Sequence, residues 1–277
     1  MFIRIGYELV FTLPAPAALS LLLSVLPNRV PDLRVSDALS VSPELPVSNY
    51  LDTFGNRAAR IFAPAGTLRL CSDAIVEDSG LPLPISLEAI QHPIQDLPVE
   101  CLQFLLPSRY CEVDRLQDIA WKLFGQTPPG WARVQAICDW VHANVEFGYK
   151  YARPTKTAYD VYEERQGVCR DFTHLAVTFC RCMNIPTRYA TGYLGDIGVP
   201  VDENPMDFSA CFQCYLGGQW HTFDARHNTR RIGWILMATG RDAADCAITT
   251  TFGFSQLDKF VVWADEVPSS EITPSRC

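Results

Sequence analysis

Cys169 lies between a glycine-bearing turn and a long apolar-periodic run, in the string RQGVCRDFTHLAVTFCRCMNIPTRYATGYLGD (165–196), and Arg170 and Asp171 follow it at once. A thiol at the start of a helix can serve as a nucleophile. The unpaired amides of the first turn and the positive end of the helix dipole stabilise a thiolate there and lower the thiol pKa, and Arg170 adds a nearby cation. A cysteine at such a position is equally an ordinary small packing residue, so the position alone does not decide. A second stretch, MDFSACFQCYLGGQWHTFDARHN (206–228), holds the other groups that thiol chemistry uses: a carboxylate at Asp224 and imidazoles at His221 and His227.

The elements that must position these groups follow from periodicity. Phe172, Leu175, Ala176, Phe179, Cys180 and Met183 form a helical stripe that stops before Asn184-Ile185-Pro186, which puts Cys169 in or beside a first helical turn. Gly217-Gly218 suits the positive φ of a tight hairpin. A two-residue turn there pairs Tyr215 with Trp220, Gln213 with Thr222, Cys211 with Asp224 and Ser209 with Arg226. Alternation then gathers Ser209, Cys211, Asp224 and Arg226 on one face and turns His221 to the other. His174, five residues past Cys169, is about 140° around the helix from it and is expected to be packed. His142 belongs to a different helix. His227 follows the strand directly, and a bend after Arg226 would carry it towards Asp224.

The rest of the chain divides by pattern. Residues 1–101 alternate short apolar runs with turn residues, as in DTFGNRAARIF and AGTLRLCSDAIV, and are expected to form a β-rich domain. A proline-scattered linker covers 79–107, where missing backbone donors disfavour long helices. Residues 102–277 begin with helices: Leu116, Ile119, Ala120, Leu123 and Phe124 make one stripe closed by Gly125, and Val134, Ile137, Cys138, Val141 and Val145 make another, with Thr127 as its cap. Strand patterns follow at TRYATGYL, DFSACFQCYL, QWHTFDARH, AITTTFG and DKFVVWAD. The fold class is therefore α+β, with an antiparallel sheet in the second domain. The net charge of −8 argues against a general nucleic-acid or anionic-membrane surface, since both need a positive field. The eleven cysteines are odd in number and mostly embedded in apolar stretches, which reads as reduced packing residues. The apolar start is interrupted by Glu8, Pro14 and Pro16, so a signal peptide is not expected and cytoplasm is.

The stretch from Gly167 to Gly195 resembles the core motif of the transglutaminase-like superfamily, in which a cysteine opens a helix and the chain returns as a strand. The likeness continues through 206–228, which is similar to that superfamily's hairpin, and DTFGNRAARIFAPAGTLRL resembles the β-rich domain that precedes the core in a group of bacterial members. The resemblance implies a papain-like core and thiol acyl chemistry on a peptide or amide, with no cofactor: the cysteine attacks a carbonyl, and the acyl group passes to water or an amine. Cys169 matches the nucleophile and Asp224 the orienting aspartate. Ser209 stands where the triad histidine belongs, and a serine hydroxyl is too weak a base to replace it. His227 is the candidate substitute. Three readings stay open: an active thiol hydrolase or acyltransferase, a peptide or amide binder without turnover, and a structural partner in an assembly with other enzymes or with copies of itself.

Other clusters point elsewhere less well. Cys180 and Cys182 are two apart on a helix, and Cys211 and Cys214 three apart on a strand, so neither pair converges on a metal and none is expected. The basic run ARHNTRR, with Arg226, Arg230 and Arg231, suits either a solvated loop or recognition of an acidic group on a substrate.

Overall fold

The computed structural model describes residues 1–273 and 277. Its first part is built from β1 (Phe2–Leu13), β2 (Ala17–Leu21), β3 (Leu33–Val35), β4 (Ser40–Ser42), β5 (Ser48–Leu51), β6 (Arg57–Ala63) and β7 (Gly66–Glu77). The apolar start of the chain is β1, a strand with eight of its twelve residues buried. Among the described residues no helix is long and apolar enough to cross a membrane.

The second part runs α1 (Val113–Phe124), α2 (Trp131–Asn144), β8 (Glu146–Phe147), α3 (Ala158–Glu164), β9 (Gln166–Gly167), α4 (Cys169–Cys182), β10 (Thr187–Tyr193), β11 (Ser209–Leu216), β12 (Gln219–Phe223) and β13 (Ile235–Gly240). The last four strands form an antiparallel sheet in the order β12-β11-β10-β13. Helix α4 lies between that sheet and α1, α2 and α3. Its expected apolar stripe is there, but the burial is wider: every residue from Asp171 to Cys182 is buried, including Thr173, His174, Thr178 and Arg181. A helix packed on all sides must hydrogen-bond its polar residues internally. Thr173 and Thr178 donate to the carbonyls of Cys169 and His174. The helix ends at Asn184, whose φ of 61° is left-handed, a conformation asparagine tolerates.

The chain closes with β14 (Thr249–Phe252) and β15 (Gln256–Val267), which pair with β2 and β1 respectively. The strand pairing thus does not follow a division at residue 101, because two strands from the end of the chain complete the sheets of its beginning. One apolar cluster joins the parts, with Ile3, Ile5, Tyr7 and Leu9 of β1 packed with Tyr193, Phe208, Ile235 and Met237.

Two local expectations are corrected. Thr127 does not cap α2, whose N-cap is Gly130 at φ 87°. The Cβ of any other residue at that glycine would stand 2.5 Å from Ala89 O. Thr127 instead donates to Phe124 O (2.7 Å) and receives Arg133 Nε (3.2 Å), tying α1 to α2. Val145 follows α2 as its C-cap residue. The cysteines are mostly free and buried, as expected of packing residues, but Cys71 and Cys277 form a disulfide.

His174 is packed, stacked on Tyr110 (centroids 4.9 Å) and tilted against Tyr189 (5.2 Å). Its Nε2 accepts the Ala243 amide (3.1 Å), so the ring is neutral with its proton on Nδ1, and burial holds its pKa well below the usual histidine range. The sign of the linkage follows. Native His174 resists a proton that the unfolded chain takes up below about pH 6.5, so its contribution is full above that pH and falls away on acidification. We expect the unfolding free energy from urea titrations to drop between pH 7 and pH 5 by as much as about 1.4 kcal/mol per pH unit, and the drop to shrink in His174→Phe. An identical pH dependence in the variant would refute this.

Candidate active site

Gly167, Val168 and Cys169 make the turn into α4. The Asp171 carboxylate accepts the Val168 amide (3.0 Å), a first-turn acid closing the helix N-terminus. A Cβ at Gly167 would lie 2.6 Å from Asp171 Cβ, so the glycine lets that carboxylate fold under the turn. Arg170 holds Asp171 at 3.3 Å and donates to Arg153 O (2.6 Å). Cys169 is the one free cysteine of the described residues that is not buried.

The expected fall in its pKa is overturned. Burial is the larger effect and pushes the Cys169 thiol up, and the Asp207 carboxylate adds to it. The Ala210 and Arg170 amides and the Arg226 charge pull the other way without prevailing. Helix-start electrostatics are a local property; enclosure by β11 is not visible in the helix sequence. Cys169 is thus a protonated thiol at neutral pH, and any nucleophilic step needs a base.

The hairpin forms as expected through its ladder: Gly217 and Gly218 take φ of 58° and 85°, Tyr215 faces Trp220 and Gln213 faces Thr222. Beyond Phe223 the ladder stops. Residues 225–227 turn, so the expected pairs Cys211–Asp224 and Ser209–Arg226 do not form. The turn folds His227 back on Asp224. Asp224 Oδ1 accepts the amides of Arg226 (3.0 Å) and His227 (3.1 Å), and His227 Nδ1 donates to Oδ2 (2.7 Å). Because Nδ1 carries the proton, Nε2 of the neutral ring is left as the basic nitrogen. Helix α2 clamps this turn from outside: His142 Nδ1 donates to Arg226 O (2.6 Å), and Asn228 bonds Asp139 (2.8 Å) and Gln135 (3.0 Å). Sequence reasoning did not find that use of His142.

Cys169, Ser209 and His227 line one cavity of about 450 Å³. Asp224 supports His227 from behind, with only 2% of its side chain exposed. Among the described residues, no hydrogen bond joins Cys169 to His227, and the Ser209 hydroxyl makes none to Cys169 or Asp224. It is the neighbour of Ser209, Ala210, that packs with Cys169. His221 is turned away, against the Trp131 ring (5.4 Å). Asp207, unnoticed in the sequence, also lines the cavity; its surroundings push its carboxyl up although the side chain still meets solvent. The far wall is Ala264, Asp265 and Glu266 of β15, and Gly195 lets that strand approach, since a Cβ there would meet Ala264 O at 2.0 Å. Among the described residues, no group of three or more His, Cys, Asp or Glu side chains is placed to hold a metal ion.

Comparison with known proteins agrees with the fold. A family model described as the transglutaminase-like superfamily matches residues 117–225. The crystal structure of a “putative cysteine protease” from Cytophaga hutchinsonii is 32% identical, with a TM-score of 0.81 over 99% of this chain and 93% of that one. An uncharacterized protein of Mycobacterium leprae is 26% identical over 209 residues, 72% of this chain and 73% of its own. Cysteine-based catalysis is the family-level meaning of this fold. With the turn at Cys169, the hairpin and the N-terminal sheets all covered by these likenesses, the chain belongs to the transglutaminase-like superfamily.

Proposed function

We propose that the protein carries out thiol acyl chemistry on a peptide or amide, with Cys169 as nucleophile, His227 as general base and Asp224 as its orienting carboxylate. The observation that carries this reading is the Asp224–His227 hydrogen bond in a cavity that also holds the Cys169 thiol. In the first half-reaction the Cys169 proton passes to His227 Nε2 as Sγ bonds the substrate carbonyl carbon. Collapse breaks the C–N bond, and the leaving amine takes the proton from His227. Water or a second amine then attacks the thioester, giving its proton to His227, and the departing sulfur recovers it. The Ala210 and Arg170 amides near Sγ are suited to charge that develops there. Ser209 enters as a wall of the cavity, not as a base. Nucleic acid and anionic membrane lie outside this reading, given the charge of −8.

Limited iodoacetamide labelling with peptide mapping tests the assignment. Cys169 should be labelled before every other free thiol at neutral pH, and more slowly in His227→Ala. An inert Cys169 in folded protein would sink the nucleophile assignment. A second reading, ligand binding without turnover, is favoured by the protonated thiol and by the lack of a Cys169–His227 hydrogen bond among the described residues. Labelling of Cys169 that ignores His227 would favour it.

The compartment is part of the proposal. Composition favours the cytoplasm, where Cys71 and Cys277 would be kept reduced; bridges persist in oxidising compartments. Counting thiols in denatured, unreduced protein trapped directly from cells decides the matter. Eleven supports the cytoplasm, and nine moves the protein elsewhere.

A further inference from the structure

Arg226 is set up for a partner that the protein does not supply. Its residue is fixed at both ends of the backbone, the amide on Asp224 and the carbonyl under His142. Its guanidinium lies 3.7 Å from the centroid of the Phe147 ring. Phe147 is itself fixed beside the nucleophile turn, because β8 pairs with β9 through Phe147 and Gly167. Yet among the described residues the half-buried guanidinium has no hydrogen-bond acceptor and no carboxylate within ion-pair distance. Arg29, Arg34, Arg57, Arg69, Arg153 and Arg241 all have both. Arg226 also lines the Cys169 cavity, near enough for its charge to act on the thiol.

A second guanidinium in that cavity, Arg231, is already engaged. It is buried and donates to Gly195 O (2.9 Å) and to Asp196 (3.3 Å), so it braces the loop. Asp202 and Asp207, also in the cavity, are close enough for the Arg226 charge to draw their carboxyls down, but among the described residues neither forms an ion pair or hydrogen bond with it. An aromatic face orients a guanidinium plane while leaving its edge donors free, and that edge matches a carboxylate with two parallel hydrogen bonds.

We propose that Arg226 is a specificity-determining residue that seats a carboxylate of the substrate beside Cys169, so that the cavity takes peptides or amides carrying an acid next to the reacting carbonyl. This rests on the proposed thiol chemistry only for the word substrate; the carboxylate seat stands as a binding site without it. The acid can be an Asp or Glu side chain or the free C-terminus of a peptide, and the chemistry on Arg226 is the same.

The first experiment compares Cys169 alkylation by iodoacetate and by its neutral counterpart iodoacetamide, at a pH high enough to keep His227 uncharged. Iodoacetate should be favoured relative to a small free thiol measured in parallel, and Arg226→Gln should cut the iodoacetate-to-iodoacetamide rate ratio about tenfold or more. A ratio equal to that of the free thiol overturns the proposal. So does a ratio that survives Arg226→Gln, or a loss of both rates in equal proportion, which would make Arg226 a thiolate-stabilising residue. If Cys169 is inert to both reagents, the thiol reading fails and the seat is judged by binding alone. In Cys169→Ala, saturation-transfer NMR with N-acetyl-trialanine as the free acid, N-acetyl-Ala-Glu-Ala-amide and N-acetyl-trialanine-amide should detect one or both acids and not the neutral amide. Which acid binds identifies the source of the carboxylate. Equal binding of all three, binding of none, or acid binding unchanged by Arg226→Gln overturns it.

Discussion

His227→Ala is expected to lower Cys169-dependent amide turnover by about 10²- to 10⁴-fold, the usual contribution of a positioned general base. The reason is specific to this site. Burial keeps the Cys169 thiol protonated, so the attack waits on a proton acceptor, and the only imidazole lining the cavity among the described residues is His227. Asp224→Asn should cost less but act through the same atom, because an amide nitrogen facing Nδ1 favours the tautomer whose Nε2 is already protonated. Ser209→Ala should cost less than about tenfold, since a hydroxyl has no basicity to lose at neutral pH. Steady-state hydrolysis of a peptide amide by the four proteins, with circular dichroism to establish that each is folded, separates these cases. If Ser209→Ala were as damaging as His227→Ala, the base assignment would fail.

Replacing Arg181 by leucine should cost about 1–3 kcal/mol of stability, the usual penalty for leaving a buried acceptor unsatisfied. Arg181 is 2% exposed in the last turn of α4. Its Nε and Nη2 donate to Thr187 O (3.0 and 2.9 Å), Nη1 to Leu106 O and Ser108 Oγ (3.1 Å each), and Nη2 also to Arg241 O. One guanidinium thus satisfies carbonyls from the linker, the start of β10 and the end of β13. Leucine fills similar space but leaves the buried Thr187 carbonyl, and the part-buried Leu106 O, Ser108 Oγ and Arg241 O, without this donor. Arg181→Lys should recover only part of the loss, because one ammonium cannot reach acceptors spread around a planar fork. Urea unfolding followed by tryptophan fluorescence measures both. A loss below about 1 kcal/mol in Arg181→Leu would mean that water replaces the guanidinium, contrary to its burial.

Much of the site was legible where local rules hold. The stripe after Cys169 placed that cysteine at a helix start, and two glycines set the hairpin register through Gln213 and Thr222. The parity argument failed at Asp224 because alternation applies only within a ladder, and this ladder ends at Phe223. The same break is what brings His227 to Asp224, an event that depends on a bend and on the α2 side chains that clamp it. The thiol pKa was misjudged for a related reason: a helix start is written in adjacent residues, whereas enclosure is contributed by a strand forty residues away. The destinations of β14 and β15 carried no local signal at all, since both strands were recognisable and their partners were not.

The pairing of β15 with β1 also sets an order of events during synthesis. A nascent chain that has emerged as far as Phe223 already has Cys169 and both strands of the hairpin, but the wall at Ala264–Glu266 and the edge of the first sheet do not yet exist. At about 5–20 residues per second, residues 224–267 take a few seconds to follow. For that interval β1 has one neighbour instead of two, and the thiol faces an open groove. A polypeptide stalled or cut within that window would keep the Cys169 thiol and lose one wall of its cavity, so the thiol and that wall are separated in time by the order of the chain.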